Sequence, residues 1–141
     1  MTVTLTPYIT LEGKTKEAIR FYEQAIGAEV LFLSTYGDMP DMPNTFTDEL
    51  KALVAHAKLR VGASELMFSD TPPGKAPAGG KQVTICITTK DIAQSRRFFE
   101  ALSEGGKVNM PFSEESFSPG FGDVTDRFGV TFQIYTELER P

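Results

Sequence analysis

Few side chains in this sequence could do chemistry, and His56 is the first of them. It is the only histidine among the 141 residues. Because an imidazole titrates near neutral pH, His56 could serve as a general acid or base. No carboxylate or hydroxyl is obviously placed beside it, and the alternative is a histidine hydrogen-bonded within a sheet or lying at a dimer seam. Both interpretations stay open at the level of sequence.

Asp70 and Cys86 have more ordinary structural interpretations. Asp70 follows the β-rich segment ELMFS and precedes two prolines. Aspartate in that setting usually forms a turn rather than acting as a catalytic carboxylate. Cys86 is the single cysteine, which excludes an internal disulfide and argues against a cysteine-based metal site. Because it lies in the apolar segment 83–87, we expect a small buried side chain rather than a reactive thiol.

Several classes of function lack their usual signals in this sequence. There is no Gly-rich phosphate loop before a helix, no dinucleotide fingerprint and no G-x-S-x-G motif. The net charge of −5 argues against nucleic acid as a partner, although it could favour a cationic ligand or simply aid solubility. No apolar run approaches the ~20 residues that span a bilayer, so we expect no membrane partner. The start of the chain lacks a basic region and an apolar signal core, which predicts a cytoplasmic protein.

The elements that must position these side chains form a repeat. Residues 16–30, KEAIRFYEQAIGAEV, predict an amphipathic helix that ends at a glycine and leads into a strand. Residues 94–108, QSRRFFEALSEGGKV, predict a second helix of the same kind, with Asp91 as its N-cap. Phe21 and Phe98 lie in register between the two copies, 77 residues apart. Such a repeat indicates two copies of one supersecondary unit.

Each copy is predicted to be a βαβββ module. The first spans residues 1–70 and the second residues 81–141, with a Pro- and Gly-rich linker at 71–80. We expect an α+β fold in which the two repeats form a half-barrel of mixed, mainly antiparallel sheet with the helices outside. Two irregular segments, 37–47 and 111–121, are predicted to be long loops, one in each copy.

This pattern resembles the vicinal oxygen chelate superfamily, which includes glyoxalase I, bleomycin resistance proteins and extradiol dioxygenases. Within this superfamily, the sequence is most similar to the PhnB-like branch, which is often labelled as resembling demethylubiquinone methyltransferase. The matching segments span nearly the whole chain: PYITLEGKTKEAIRFYEQAIGAEV, AHAKLRVGASELMFSD, LSEGGKVNMP and FGDVTDRFGVTFQIY. The methyltransferase label itself finds no support, because no glycine-rich turn of a doubly wound cofactor-binding fold is present.

The resemblance implies where a metal would bind. In metal-dependent members, four inward positions carry the ligands, and they fall here at about Pro7, Met67, Thr84 and Gln133, with Phe68 as the alternative to Met67. Divalent metals in such a site prefer imidazole or carboxylate ligands, which these residues do not supply. We therefore predict no cofactor, and in particular no family metal.

The resemblance also places a ligand pocket on the inner faces of the two sheets, with segments 37–47 and 111–121 as lids. The candidate ligand-binding residues are Tyr8, His56, Phe68, Gln133 and Tyr135, although core packing is an alternative for each aromatic ring. The favoured hypothesis is a metal-free protein that binds a small molecule, as a homodimer. The alternatives are a metal-dependent isomerase, lyase or dioxygenase of the same superfamily, and an antibiotic-sequestering resistance protein.

Overall fold

Two four-stranded mixed sheets make up the fold, one in each of two compact units, Met1–Ala78 and Gly79–Pro141. The structure is a computed structural model, and it describes residues 6–39, 46–71 and 83–138. In each sheet one pair of strands is parallel and the other two pairs are antiparallel. The predicted α+β class with two βαβββ repeats is therefore confirmed.

The first unit has the strand order β1-β4-β3-β2. Strand β1 runs parallel to β4, and the remaining neighbours are antiparallel. Two short helical elements interrupt the connection between β2 and β3. In chain order the elements are β1 (Tyr8–Glu12), α1 (Thr15–Ile26), β2 (Glu29–Thr35), a 3₁₀ turn (Tyr36–Asp38), α2 (Asp48–Lys51), β3 (Val54–Val61) and β4 (Ser64–Thr71).

The second unit has the equivalent order, β5-β8-β7-β6. Its parallel pair is β5 with β8. The elements are β5 (Ile85–Thr89), α3 (Ile92–Ser103), β6 (Lys107–Glu115), β7 (Ser118–Thr125) and β8 (Thr131–Thr136). No helix in the part of the chain that the structure describes is long and apolar enough to cross a membrane.

Helix α1 forms where its apolar stripe predicts it and buries that stripe on the first sheet. The Tyr22 side chain is fully buried, and its ring centroid lies 5.7 Å from that of Phe68 in β4. Gly27 ends the helix with φ 68°, a left-handed conformation that glycine adopts without a steric penalty. Tyr22 is thus a core residue, whereas its neighbour Phe21 is half-buried.

Helix α3 packs on the second sheet over glycines of β7. Asp91 caps the helix as predicted, because its side chain accepts the N–H of Ala93 at 3.0 Å. A Cβ atom at Gly122 would lie 2.6 Å from the Phe99 ring, and one at Gly120 would lie 2.5 Å from the Phe112 ring. The absence of a side chain at both glycines lets these rings lie directly against the strand.

Asp70 is a buried carboxylate within β4, only 2% exposed. Its Oδ1 accepts the N–H of Thr15 at the start of α1 at 3.0 Å, and its Oδ2 accepts the N–H of Val54 at the start of β3 at 2.9 Å. The turn interpretation of Asp70 is wrong because β4 continues through it to Thr71. The carboxylate instead joins the first turn of a helix to two strands, and its charge suits the helix N-terminus.

The predicted loop at 111–121 is also wrong, because this segment is a β-hairpin. Strand β6 runs to Glu115 and β7 begins at Ser118. Irregular register with β7 at three places in β6 removes the alternation by which a strand is recognised. Pro111 is tolerated because β6 is an edge strand.

The predicted loop at 37–47 is described only at its ends. It begins within the 3₁₀ turn, where hydrogen bonds from the backbone N–H and then the hydroxyl of Thr35 lower the pKa of Asp38, with a further contribution from the charge of Lys16. It ends at Thr47, whose hydroxyl caps α2 by accepting the N–H of Leu50 at 3.2 Å. Residues 40–45, and almost all of the predicted linker at 71–80, lie outside the described residues.

Replacing Asp70 by asparagine tests the role of its carboxylate. The Asp70→Asn change exchanges one acceptor oxygen for an N–H₂ group that faces a buried backbone N–H. A buried donor left without an acceptor costs about 1–3 kcal/mol, so we expect the free energy of unfolding in urea to fall by about 2 kcal/mol. The control is Glu23→Gln at an exposed position of α1, expected to stay within about 0.5 kcal/mol. An Asp70→Asn variant as stable as the control would contradict the role.

Candidate functional site

Each sheet has a face that its own long helix does not cover. We call the side of the first sheet that faces away from α1 the first open face, and the side of the second sheet that faces away from α3 the second open face. Successive side chains of a strand point to opposite faces, so every strand contributes to both sides. The apolar residues of each strand lie under the helix, and the polar and aromatic residues that alternate with them lie on the open face.

The first open face carries a row of three rings across β1, β3 and β2. The His56 ring centroid lies 6.0 Å from that of Tyr8 and 5.9 Å from that of Phe32. Tyr8 and Phe32 are each 52% exposed, whereas His56 is half-buried. The structure thus brings two of the predicted site residues, Tyr8 and His56, together with a ring that the sequence reasoning missed.

Charged residues lie farther along the first open face. The Nζ of Lys58 is 3.9 Å from a carboxylate oxygen of Glu65, and Met67 is paired with Lys58 across the sheet. An exposed pair of this kind contributes at most about 1 kcal/mol to stability. His56 has no hydrogen-bond partner among the residues that the structure describes. Its imidazole nitrogens are therefore available to a bound molecule.

Phe68 does not lie with these residues. Its side chain is fully buried on the α1 side of the sheet, against Tyr22. Alternation along β4 places its neighbour Met67 on the first open face instead. Of the two residues that the resemblance left as alternatives, Met67 is the one on the open side.

The second open face carries a polar row centred on Asp123. Asn109 Nδ2 donates to Asp123 Oδ1 at 2.9 Å and to Thr125 Oγ1 at 3.0 Å. Gln133 Nε2 donates to Asp123 Oδ2 at 3.4 Å. Gln133 therefore points away from the buried Phe132 and Ile134, as the alternation predicts.

Three aromatic rings continue the second open face beyond the polar row. Tyr135 lies across the sheet from Phe121 in the β7–β8 register, next to the pair of Asp123 and Gln133. The rings of Phe117 and Phe121 meet edge to face at 5.1 Å. The predicted residues Gln133 and Tyr135 thus share one face, and the aromatic neighbours there come from the hairpin that the sequence reasoning took for a loop.

Cys86 also lies on the second open face, and the expectation that it is buried is wrong. Its side chain is exposed, and its Sγ is 3.8 Å from the Thr88 hydroxyl. Cys86 is paired with Gln133, which fixes the face to which it points. The apolar run misled the prediction because β5 is an edge strand whose open side is not covered by α3.

The strand register shifts the predicted metal-ligand positions. Pro7 and Thr84 precede β1 and β5, and the carbonyl oxygen of Pro7 accepts the N–H of Met67 in β4 at 2.9 Å. The residues paired with Met67 and Gln133 are instead Tyr8 and Cys86.

Neither set of donors fits a divalent metal. A thioether, an amide, a phenol and a single thiol lack the carboxylate and imidazole ligands that such ions prefer. No group of three or more His, Cys, Asp or Glu residues within the described ranges could hold a metal ion. The absence of the family metal stays a prediction.

Of the residues that the sequence reasoning missed, only Asp123 has a signal of its own, because it alternates with the apolar Val124 in a segment predicted to be a strand. Phe32 lies in a continuous apolar run, residues 30–33, in which alternation does not show the face to which a side chain points. Asn109 lies in a strand with irregular register, so alternation gives no signal for it. The register between strands, which places these residues beside His56 and Gln133, cannot be obtained from the alternation of one strand alone.

Comparison with known proteins gives the family. A family model described as 3-demethylubiquinone-9 3-methyltransferase matches residues 3–135. Protein YjdN of Escherichia coli K12 is 32% identical over 145 residues, with 97% of each chain covered.

Solved structures agree with this family. Protein PA1353 from Pseudomonas aeruginosa is 33% identical, with a TM-score of 0.85 and coverage of 98% of this chain and 100% of that one. A PhnB protein from Bacillus cereus is 22% identical, with a TM-score of 0.78 and coverage of 95% and 99%. It is similar in fold.

A more distant structure shares the same fold. A glyoxylase/bleomycin resistance protein/dioxygenase domain from Frankia sp. is 10% identical and covers 98% of this chain and 99% of its own, with a TM-score of 0.69. At that identity the likeness concerns the fold alone. The chain therefore belongs to the family described as 3-demethylubiquinone-9 3-methyltransferase, and its fold is glyoxalase-like.

Proposed function

We propose that this protein binds a small organic molecule on the open faces of its sheets, without the family metal, as a cytoplasmic homodimer. The observation that carries the proposal is the row formed by Tyr8, His56 and Phe32, in which the His56 ring centroid lies 6.0 Å from that of Tyr8 and 5.9 Å from that of Phe32. The Tyr8 and Phe32 rings are about half-exposed. Covering such rings with a ligand would remove apolar surface from water, which is favourable.

The chemistry of the first open face suits recognition of an organic molecule. Aromatic side chains offer a large contact area and hold a planar ligand by stacking. The His56 imidazole can donate or accept a hydrogen bond at each nitrogen, depending on its protonation. Ligand sites of proteins commonly combine an apolar lining with a few polar groups in this way. No turnover is required by this arrangement, and the proposal is one of binding.

Strand β2 supports association of two copies. It is an edge strand, and four consecutive apolar residues in it are at least 38% exposed. Val30 and Leu33 pair with residues on the α1 side of the sheet, whereas Phe32 pairs with Lys58 on the open side. An exposed apolar edge with free backbone groups favours pairing with another chain. A second copy of this chain is the partner that we propose.

Ligand binding is tested by screening a library of small aromatic compounds with ¹⁵N-edited NMR and by native mass spectrometry of the freshly purified protein. We expect hits that shift the signals of β1 and β3. The double variant Tyr8→Ala/His56→Ala should weaken those hits about tenfold or more, because two stacking contacts contribute roughly 0.5–1.5 kcal/mol each. Glu23→Gln on α1 is the control. Hits that bind the double variant as tightly as the wild type would refute this site.

Metal content is tested on protein purified without chelators. We expect elemental analysis to find far less than one equivalent of zinc, nickel, manganese or iron per chain, because the described donor set lacks imidazole and carboxylate ligands at the family positions. Addition of these ions should leave the melting temperature unchanged, since an ion that bound only the folded state would raise it. A stoichiometric metal would favour the metal-dependent enzyme hypothesis instead.

The oligomeric state is tested by sedimentation velocity at micromolar concentration. We expect a dimer for the wild type and a monomer for Leu33→Lys, because a lysine on an edge strand opposes pairing with a second chain. Glu65→Gln, on β4 away from the edge, should sediment like the wild type. A monomeric wild type would disprove the homodimer.

A further inference from the structure

We infer that the second open face binds a planar aromatic cation, with Asp123 as the residue that recognises its charge. This inference rests on the proposed function and names the ligand class for one of its two faces. It is carried by the polar row of Asn109, Asp123 and Gln133 and by the aromatic rings of Phe117, Phe121 and Tyr135 beside that row.

The hydrogen bonds of the polar row leave mainly acceptors for a ligand. A carboxylate has no hydrogen to donate, so Asn109 and Gln133 must turn their N–H₂ groups toward Asp123. The N–H₂ group of Asn109 is used twice, because it also donates to Thr125. The amide oxygens therefore point away from the carboxylate. Apart from the second N–H of Gln133, a molecule that approaches this row meets oxygens, and it must supply hydrogens to them.

Asp123 has no cationic partner among the residues that the structure describes. The ion pairs of Lys58 with Glu65 and of Arg60 with Glu29 lie in the first unit. Asp123 is half-buried and is held by two neutral amides. A half-buried carboxylate attracts a cation more strongly than an exposed one, because solvent screens it less. An ammonium, amidinium or guanidinium group would complete its hydrogen bonding.

The rings lie at the right distance for the rest of such a ligand. Phe121 is two residues from Asp123 on β7, about 7 Å along the strand, and both point to the same face. Tyr135 is paired with Phe121 across the sheet, and its hydroxyl has no partner within the described ranges. Phe117 is 47% exposed beside Phe121. A molecule with one or two fused rings and a one-carbon amine arm would reach both the rings and the carboxylate.

Three probes that share one ring system test the charge: naphthylmethylammonium, naphthylmethanol and naphthoate. Affinities are measured by NMR titration, with the side-chain amide signals of Asn109 and Gln133 as local reporters. We expect the ammonium to bind at least about tenfold more tightly than the alcohol, since a charge-assisted hydrogen bond exceeds a neutral one by that order. Naphthoate should bind more weakly still, and added salt should weaken the ammonium alone.

The variants separate the charge from the rings. Asp123→Asn should remove the preference for the ammonium, whereas Phe121→Leu should weaken all three probes and keep their order. Glu65→Gln is the matched control, because it removes a carboxylate from the first open face that is already paired with Lys58. Melting temperatures establish that each variant is folded. Should Asp123→Asn not fold, the salt dependence and the amide signals of the wild type decide the question.

Several results would overturn the inference. Equal affinity for the three probes, an unchanged ammonium affinity in Asp123→Asn, or ammonium binding that leaves the amide signals of Asn109 and Gln133 unmoved would each do so. If library compounds bind the first open face and no naphthyl probe binds the second, this inference fails and the proposed function stands. If neither the library nor the probes bind, both fail.

Discussion

Each unit has one long helix to cover a sheet that has two faces, and the rest of the structure follows from that constraint. Because side chains alternate along a strand, covering one side of four strands leaves an equal number of side chains on the other side. Under the helices those side chains are Phe68, Phe132 and their apolar neighbours. On the open faces they are histidine, tyrosine, aspartate and amides, which retain hydrogen-bonding capacity. The proposed ligand sites are thus the side chains that the packing of the helices leaves unburied.

The two units use different side chains to join the end of the central strand to neighbouring elements. In the first unit, the end of the parallel central strand is joined to its helix by the Asp70 carboxylate. In the second unit, hydroxyl groups make the equivalent connection at Thr136. The Thr136 hydroxyl donates to Ser95 Oγ at 2.7 Å, and the Ser118 hydroxyl donates to the Thr136 carbonyl at 2.6 Å. A charged junction in one copy and a neutral one in the other show how far the repeats have diverged while keeping their topology.

The sequence predicted well those features that depend on local pattern. The stripe around Tyr22, the glycine at 27 and the N-cap at Asp91 each have a local physical cause and were found from it. Features that depend on strand register or on packing between distant residues were not predicted from the sequence. Met67 and Phe68 could not be told apart, and the Cys86 face was misjudged. The parts of β6 and β7 within residues 111–121 were taken for a loop, because bulges and glycines hide their alternation.

The glycines of β7 bear on how this chain can change over evolutionary time. At Gly122 the space that a side chain would occupy is filled by Phe99, and at Gly120 it is filled by Phe112. A larger residue at either glycine becomes acceptable only together with a smaller ring partner. These positions therefore form coupled pairs across a strand and its covering elements, and relatives of this protein should exchange glycine and phenylalanine jointly rather than singly.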